Sequence, residues 1–276
     1  AAHDTHAEPV TLATDVFHAV NNFLRQYSRV YGLTSPADDA LLQHFILALQ
    51  RQTGQHVAVD PLALAGPTAE LLWTSQLRFE GVAEPHGKEL CSLINAAIRD
   101  DHPELAAPVA RVVRSINTLC IVRGLDAGAL AGLRFPPGGR TFRGTGFDNQ
   151  YKDFFTVGKS YRVPGFVATS FSEDVATGFM RMAEAYGRQP VMWVVHVDPA
   201  GEHDAARRCK HVNYVSNTHV GGEAEFLFAP YSIFTVLSVE WGENGAPHRV
   251  ELYAATDNRA QAEGGEGPWA TPLGSE

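Results

Sequence analysis

The chain has 276 residues, of which 45% are hydrophobic, so it can bury a core in one large domain or two small ones. Its formal net charge of -9 and pI of about 5.7 argue against a nucleic-acid or membrane binder that works through a basic surface. The sequence shows no window of about 18 continuous apolar residues and no basic stretch followed by an apolar one at its start. We therefore expect a soluble globular protein; no membrane span or signal peptide is visible in the sequence, and we assign it no compartment, secretion included.

The cysteines and histidines give no sign of a metal centre. Cys91, Cys120 and Cys209 are far apart and follow no metal-ligand spacing, and an odd number of thiols cannot pair completely within one chain. A scaffold held by disulfides is therefore not expected. The histidines are scattered, and we interpret His196, which lies in an apolar run, as a core residue with a hydrogen-bond partner.

The first part of the chain is predicted to be helical. Residues 1–12 have no clear period and are expected to fray. After them, apolar residues recur at spacings of three and four. The predicted helices run from the N-cap Thr14 to Gly32, from Ser35-Pro36 to Gly54, from Pro61 to Glu80, around Leu90 to Ile98, and around Val109 to Leu119.

The second part changes character after the Gly- and Pro-rich stretch from Gly124 to Gly139. Short strands then dominate, interrupted by one helix for which Ser172 is the expected N-cap. The predicted strands are Arg140 to Gly144, Ser160 to Ser172, Val191 to Val197, Glu223 to Ala229, Ile233 to Trp241 and Val250 to Ala255. Helices followed by strands indicate an α+β fold, for which we predict a helical region over 1–123, a strand-rich core over 124–257 and a disordered tail over 258–276.

Two acidic residues, Glu223 and Glu225, lead into an apolar run that is typical of a buried strand. In an extended segment alternate residues share a face, so these carboxylates are predicted to project the same way, with backbones roughly 6 to 7 Å apart. An isolated pair of this kind is ordinarily the solvated face of a strand end. The glycine pair Gly221-Gly222 before it, with the core strand after it, favours a site instead.

Two further motifs precede this strand. Arg143 lies on a predicted strand and is followed by Gly144, which allows a ligand close to the backbone. The segment Gly165 to Ser172 is a predicted strand that ends in hydroxyl residues. Each has an ordinary interpretation: a surface or ion-paired arginine for the first, and a strand followed by a capping Ser172 for the second.

Taken in order, the three motifs resemble those of the arginine-specific mono-ADP-ribosyltransferases, which carry an Arg on an early strand, a Ser-Thr-Ser strand and a Glu-x-Glu strand. The resemblance runs from about Arg140 to Trp241. It implies a split β-sandwich, mixed or antiparallel, preceded by helices. It also implies an NAD-protein-arginine ADP-ribosyltransferase that uses NAD as a substrate, needs no metal, and modifies an exposed arginine of a protein acceptor.

The resemblance implies the following roles. Glu225 would stabilise the oxocarbenium-like transition state and hold the ribose, and Glu223 would orient the target guanidinium and help to remove its proton. Ser170 would assist as a third catalytic residue that also contacts NAD. The first Glu is the residue that specifies arginine as the acceptor.

The other implied contacts bind the dinucleotide or the target. Arg143 would clamp a phosphate, Gly144 would leave its backbone open to the nicotinamide carboxamide, and Thr169 belongs to the same cofactor-binding set. Phe179 corresponds to an aromatic that packs on nicotinamide in relatives, although its helical spacing also predicts core packing. The stretch from His211 to Gly222 corresponds to the loop that meets the protein target.

One departure from the family pattern leaves other functions open. Ala168 stands where the middle motif usually has its first serine, and Ser170 on the same strand face is the expected substitute. The loss of one hydrogen bond to a charged partner is worth about 1.5 to 3 kcal/mol, which slows an enzyme without abolishing its activity. The alternatives are an NAD glycohydrolase that uses water as the acceptor, and a degenerate module that binds NAD without turnover. A weaker alternative is modification of a non-protein guanidino compound or of nucleic acid, and the acidic net charge disfavours the nucleic acid.

Overall fold

The computed structural model describes residues 13–54, 65–80, 88–117, 137–197, 211–215, 218–256 and 258. These residues form two compact units. One contains the described residues up to 117 together with 218–221, and the other contains 137–197, 211–215 and 222–258. The fraying predicted for 1–12, most of the Gly- and Pro-rich stretch and nearly all of the tail lie outside the described residues.

The first unit is helical. Its helices are α1 (Ala13–Val30), α2 (Pro36–Gly54), α3 (Ala65–Trp73), α4 (Leu90–Asp100) and α5 (Pro103–Asn117). Two short antiparallel strands, β1 (Arg78–Phe79) and β2 (Lys88–Glu89), lie between α3 and α4. The apolar residues that predicted α1, α2 and α4 are mostly buried, but Tyr31 and Leu41, expected on the same faces, are exposed.

The helix boundaries follow local chemistry. The hydroxyl of Ser35 accepts a 3.2 Å hydrogen bond from the amide of Asp38, and the Asp38 carboxylate accepts one of 3.0 Å from the Ser35 amide, so α2 begins with a reciprocal cap. Gly32, which follows α1, has a φ of +73° and supplies the left-handed residue that ends a helix. Thr14, expected as the N-cap, lies inside the first turn of α1.

The third helix is shorter than predicted. The helix expected up to Glu80 ends at Trp73, because Phe79 is buried and pairs with Lys88 as part of β1. This tertiary pairing overrides the weak helical pattern of the segment. The fifth helix begins at Pro103, earlier than its apolar spacing indicated, since proline suits the first turn of a helix.

The second unit is a mixed eight-stranded sheet in the order β4-β9-β10-β6-β3-β5-β8-β7. The strands β6 and β10 are parallel, and the other neighbouring pairs are antiparallel. The strands are β3 (Arg140–Phe147), β4 (Ser160–Val163), β5 (Val167–Ser170), β6 (Gln189–His196), β7 (Val212–Tyr214), β8 (Glu225–Phe228), β9 (Ser232–Glu240) and β10 (His248–Ala254). The helix α6 (Glu173–Ala185) follows β5, and short 3-10 segments cover Pro137–Gly139 and Asn149–Phe154.

The sheet is split between β3 and β5. Their register consists of one pair, Phe142 opposite Ser170, whereas β3 and β6 pair along their whole length. The split separates a five-stranded part from a three-stranded part, β5-β8-β7. The predicted α+β class, with helices first and a split mixed sheet after them, is confirmed.

Two strand predictions need correction. The strand expected from Ser160 to Ser172 is divided into β4 and β5 at Pro164-Gly165, since proline lacks the amide that a ladder needs. The strand expected from Glu223 begins only at Glu225. The short edge strand β7 and both 3-10 segments were not predicted.

The two faces of the sheet are covered differently. One face carries the main core, which contains Trp193 of β6, Phe226 and Phe228 of β8, and Phe234 of β9. The other face packs against α6, whose buried Ala176 contacts Met192 and Val194 of β6. The helix α6 is thereby fixed against the strands β3 and β6.

Candidate functional site

The strand β5 brings the three sequence motifs together. Ser170 lies opposite Phe142 of β3 on one side and opposite Glu225 of β8 on the other. Phe142 immediately precedes Arg143. The arginine, the hydroxyl strand and the second acid therefore lie on three adjacent strands, next to the split in the sheet.

The Arg143 side chain reaches across this split. Its Nη1 atom donates a 3.0 Å hydrogen bond to the carbonyl oxygen of Ala168 in β5. If the Phe142–Ser170 register continued, Gly144 would lie opposite Ala168, but the described register of β3 and β5 holds that one pair only. The Arg143 guanidinium thus binds the Ala168 carbonyl at the point where backbone hydrogen bonds between β3 and β5 would otherwise continue.

The hydroxyl of Ser170 is engaged with the main chain. It donates a 2.5 Å hydrogen bond to the carbonyl oxygen of Glu223 and accepts one of 3.0 Å from the amide of Ser172. A serine hydroxyl has one hydrogen to donate. That hydrogen is directed at the Glu223 backbone and not at the carboxylate of Glu225, although Ser170 lies opposite Glu225.

The two acids do not belong to one extended segment. Ala224 between them has a φ of +44°, in the left-handed region that residues with a side chain rarely adopt. The prediction that Glu223 and Glu225 alternate along a strand is therefore wrong for Glu223, which precedes β8. The Phe171 amide donates a 3.2 Å hydrogen bond to the carbonyl of Ala224 and helps to hold this conformation.

Backbone hydrogen bonds fix the acidic segment residue by residue. The Glu223 carbonyl is held by Ser170, the Ala224 carbonyl by Phe171, and the Glu225 carbonyl by the Val215 amide at 3.0 Å. Both acidic residues are partly exposed. The main chain around the carboxylates is thus fixed while their side chains keep access to solvent.

Thr169 has a packing role in this structure. Its side chain is 5% exposed, and its hydroxyl donates a 2.7 Å hydrogen bond to the carbonyl of Phe226 in β8. This bond holds β5 to β8 one residue away from the Ser170–Glu225 pair.

Gly144 is required by the helix that covers it. A Cβ atom at this position would lie 1.7 Å from the carbonyl oxygen of Ala176, so any side chain would displace the α6 backbone. The glycine allows α6 to pack directly on β3. The sequence motif indicated close approach of a ligand to the backbone, and on the side where a Cβ would lie the structure shows close approach of a helix.

Phe179 is not a core residue. Its side chain is 43% exposed on α6, where Ala176 is the buried residue and Met180 is partly buried against β6. The prediction that Phe179 packs in the core is therefore wrong, and its ring is accessible to a ligand. Ser172 is the N-cap of α6 as predicted, since its hydroxyl accepts a hydrogen bond from the Val175 amide.

A cluster of charged side chains connects α6 to the strands β10 and β6. Arg249 of β10 contacts Glu173 at 3.5 Å and Glu251 at 3.2 Å, and Glu251 contacts His196 at 3.0 Å. Burial alone would raise the pKa of Glu251, but the hydrogen bonds from His196 and Arg249 lower it overall. His196 thus has the hydrogen-bond partner that was expected for it, but its side chain is 19% exposed, so it is half-buried and not a core residue.

Sequence reasoning missed the aromatic support beside the acids. Phe171 stacks on Tyr214, with ring centroids 5.4 Å apart, and Tyr214 belongs to the unpredicted β7. Phe171 also packs against Phe226. The apolar alternation of Val212 and Tyr214 was the available signal for this strand.

Within the described residues, no group of three or more His, Cys, Asp or Glu side chains is arranged to hold a metal ion. Among the described helices, none is both long and apolar enough to cross a membrane.

Comparison with known proteins gives structural similarities alone, since no family model and no curated sequence matches the chain. The ADP-ribosyltransferase Vis from Vibrio splendidus is 13% identical, with 81% of this chain and 88% of that chain covered at a TM-score of 0.46. The ADP-ribosyltransferase HopU1 of Pseudomonas syringae pv. tomato is 17% identical, with 86% and 97% covered at a TM-score of 0.48. Exoenzyme S from Pseudomonas aeruginosa, solved with human 14-3-3 protein beta and carba-NAD, is 18% identical, with 83% and 94% covered at a TM-score of 0.49. At identities and TM-scores this low, we derive the function of this chain from its own residues.

Proposed function

We propose that this protein transfers ADP-ribose from NAD to arginine side chains of a protein acceptor and releases nicotinamide. The observation that carries the proposal is the position of Ser170, which lies opposite both the residue before Arg143 and the acid Glu225. Arg143, a cation that can bind a phosphate, and Glu225, a carboxylate that can stabilise an oxocarbenium ion, therefore lie on the two strands that flank β5. The motifs that suggested this family are separated in sequence and are neighbours in the fold.

The reaction breaks the bond between the ribose C1 and the nicotinamide nitrogen, and nicotinamide leaves with the electron pair. A bond then forms between the same carbon and a guanidinium nitrogen of the acceptor arginine, which loses a proton. Glu225 stabilises the positive charge that develops on the ribose. Glu223 accepts the proton, because a free guanidinium is protonated at physiological pH and is a poor nucleophile.

The remaining residues bind and orient NAD. Arg143 lies at the split between β3 and β5 and binds a phosphate of the dinucleotide. The backbone of Gly144 at the same split accepts the nicotinamide carboxamide. The exposed ring of Phe179 packs on nicotinamide, a role that its lack of burial supports.

Ala168 removes one hydroxyl from this arrangement, and we expect this loss to slow the enzyme without inactivating it. Ser170 supplies its hydrogen to the Glu223 carbonyl, so it supports the acceptor acid instead of the Glu225 carboxylate. A lost hydrogen bond to a charged group costs about 1.5 to 3 kcal/mol of transition-state stabilisation.

A second candidate function is NAD hydrolysis. The left-handed conformation of Ala224 leaves Glu223 outside the strand that carries Glu225. Hydrolysis would require only Glu225, because water replaces the acceptor guanidinium and Glu223 has no guanidinium to deprotonate. The two functions share the cleavage step and differ in the acceptor.

Incubation of the protein with isotopically labelled NAD and an arginine-rich protein mixture tests the proposal. We expect label on arginine side chains, identified by mass spectrometry of the acceptor, and loss of both the label and nicotinamide release in Glu225→Ala. Nicotinamide release without labelled arginine would establish the hydrolase instead. Equal release by the parent chain and Glu225→Ala would overturn the site itself.

A further inference from the structure

The residue between the two acids has an uncommon backbone conformation. Ala224 has a φ of +44°, and among the described residues other than glycine only Asp101, Tyr231 and Asn244 also have a positive φ. Asn and Asp can stabilise the left-handed region by hydrogen bonding through their short side chains, and alanine has no such group. The conformation of Ala224 therefore depends on contacts from the surrounding chain.

A main-chain contact on Ala224 comes from Phe171, the residue that directly follows β5. The Phe171 amide donates a 3.2 Å hydrogen bond to the Ala224 carbonyl. Ser170, the last residue of β5, binds the carbonyl of Glu223 through its hydroxyl. Two consecutive residues at the end of β5 thus hold the two residues that precede β8.

The ring of Phe171 contacts the strands β7 and β8. It stacks on Tyr214 of β7, with ring centroids 5.4 Å apart and an interplanar angle of 22°, and it packs against Phe226 of β8 at 5.3 Å. Tyr214 and Phe226 are themselves a register pair. Phe171 and Tyr214 are both partly exposed, so their contact lies at the margin of the main core. Phe171 therefore joins the main chain of Ala224 to the side chains of the neighbouring strands.

The conformation of Ala224 decides where Glu223 lies relative to Glu225. Glu225 is the first residue of β8 and is fixed by its register with Ser170. With an extended Ala224, the two acids would be alternate residues of one strand and would project the same way. Because Ala224 is left-handed, the strand ends there, so Glu225 stays in the ladder and Glu223 lies outside it.

We propose that Phe171 is a positioning residue that holds Ala224 in the left-handed conformation and thereby places Glu223 for the acceptor arginine. This inference rests on the proposed ADP-ribose transfer and assigns the use of arginine over water to a contact within the sheet unit. Glu225 keeps its pairing with Ser170 without the Phe171 ring, so cleavage of NAD does not depend on this contact.

The first test is Phe171→Leu, which removes the ring and keeps the main-chain amide. We expect arginine labelling to fall by about two- to tenfold, the effect of losing one aromatic pair, while nicotinamide release without an acceptor stays within about twofold. Tyr214→Leu, which removes the other ring and leaves Phe171 in place, should repeat this pattern. Phe154→Leu is the matched control, because Phe154 is also partly buried against the main core but lies in the 3-10 segment Asn149–Phe154. It should leave the ratio of the two activities unchanged.

A second change separates positioning from packing. Glycine adopts the left-handed region readily, so adding Ala224→Gly to Phe171→Leu should restore most of the arginine labelling. Amide hydrogen exchange at position 171 provides a readout that does not depend on activity. We expect faster exchange there in Tyr214→Leu than in the parent chain, and slower exchange in the double variant than in Phe171→Leu alone.

Two results would overturn the positioning role. One is an equal loss of labelling and nicotinamide release in both Phe171→Leu and Tyr214→Leu, and the other is unchanged exchange at position 171 when Ala224→Gly is added. A parent chain that releases nicotinamide and labels no arginine would refute the proposed acceptor. The exchange comparison would then still decide whether Phe171 holds Ala224.

Discussion

Ser170 donates a 2.5 Å hydrogen bond from its hydroxyl to the main-chain carbonyl of Glu223. The serine therefore acts on the acid that is proposed to serve the acceptor, although its register partner is the other acid, Glu225. Removal of the hydroxyl would affect both the support of the loop and the amide of Ser172, which donates to the same oxygen.

Ser170→Ala should lower the free energy of unfolding by about 1 to 3 kcal/mol, because two part-buried hydrogen bonds, each worth about 0.5 to 1.5 kcal/mol, are lost. It should also reduce arginine labelling more than NAD hydrolysis. Urea titration and the two activity assays measure these effects. Ser160→Ala, which removes a hydroxyl pair with Thr235 at the far edge of the sheet, is the control and should leave the ratio of the two activities unchanged. A parallel fall of both activities in Ser170→Ala would contradict the role given to Ser170.

Gly144→Ala should prevent α6 from packing on β3. The added Cβ would meet the Ala176 carbonyl at 1.7 Å, and a backbone atom in a packed helix cannot move aside cheaply. We expect a fall in the unfolding free energy of at least about 1 to 3 kcal/mol, or loss of soluble protein. Gly178→Ala, on α6 with open space around it, should instead be neutral or stabilise the protein by about 0.5 to 1 kcal/mol. Similar stability of the two variants would show that α6 does not pack on β3 in this way.

Phe179→Ala should raise the KM for NAD by about two- to tenfold, the range expected when one aromatic contact is lost, with little change in stability. The stability expectation follows from the exposure of the ring. Met182→Ala is the matched control, because Met182 is 51% exposed on the same helix. Initial-rate kinetics over a range of NAD concentrations decide the outcome. An unchanged KM in Phe179→Ala would remove this residue from the binding site.

The stability of the sheet unit should fall as the pH drops below about 6.5, the ordinary pKa of histidine. The Gly242 amide donates to Nδ1 of the buried His248, and Nε2 contacts the Asn149 side-chain oxygen at 2.8 Å, so the ring is neutral. Burial and, to a lesser extent, the nearby Lys152 ammonium lower the pKa of His248 in the folded protein. The unfolded chain then binds a proton that the folded chain does not, and stability is lost as the pH falls from the unfolded pKa toward the folded one.

Urea titrations between about pH 8 and about pH 5.5, a range that spans the histidine pKa, measure this loss. His248→Asn, which keeps an acceptor and cannot titrate there, should reduce the slope of stability against pH. A parent chain with equal stability at both ends of the range would contradict the neutral assignment.

Much of this fold could be predicted from local patterns. The apolar spacing identified α1, α2 and α4. The start of α2 was also predictable, because its cap is formed by Ser35 and Asp38, which are only three positions apart in the sequence. The three motifs, each a strand with an unusual polar residue, also lie on strands that are neighbours in the sheet, namely β3, β5 and β8.

Tertiary contacts account for what the sequence could not indicate. The left-handed conformation of Ala224 is held by the amide of Phe171, 53 positions earlier, and nothing in Glu-Ala-Glu predicts it. Likewise, helical spacing placed Phe179 toward the core, but Gly144 brings α6 so close to β3 that smaller residues fill the contact. The hydrogen bond from the His219 amide to the Thr74 hydroxyl also joins residues that are far apart in sequence.

In the proposed function, Glu225 promotes NAD cleavage and Glu223 activates the acceptor arginine. The most direct measurement compares nicotinamide release and arginine labelling for Glu223→Gln and Glu225→Gln, each checked for a normal unfolding transition. We predict that Glu223→Gln abolishes arginine labelling and retains nicotinamide release, whereas Glu225→Gln abolishes both. Loss of both activities in Glu223→Gln, or retention of both in Glu225→Gln, would contradict this account.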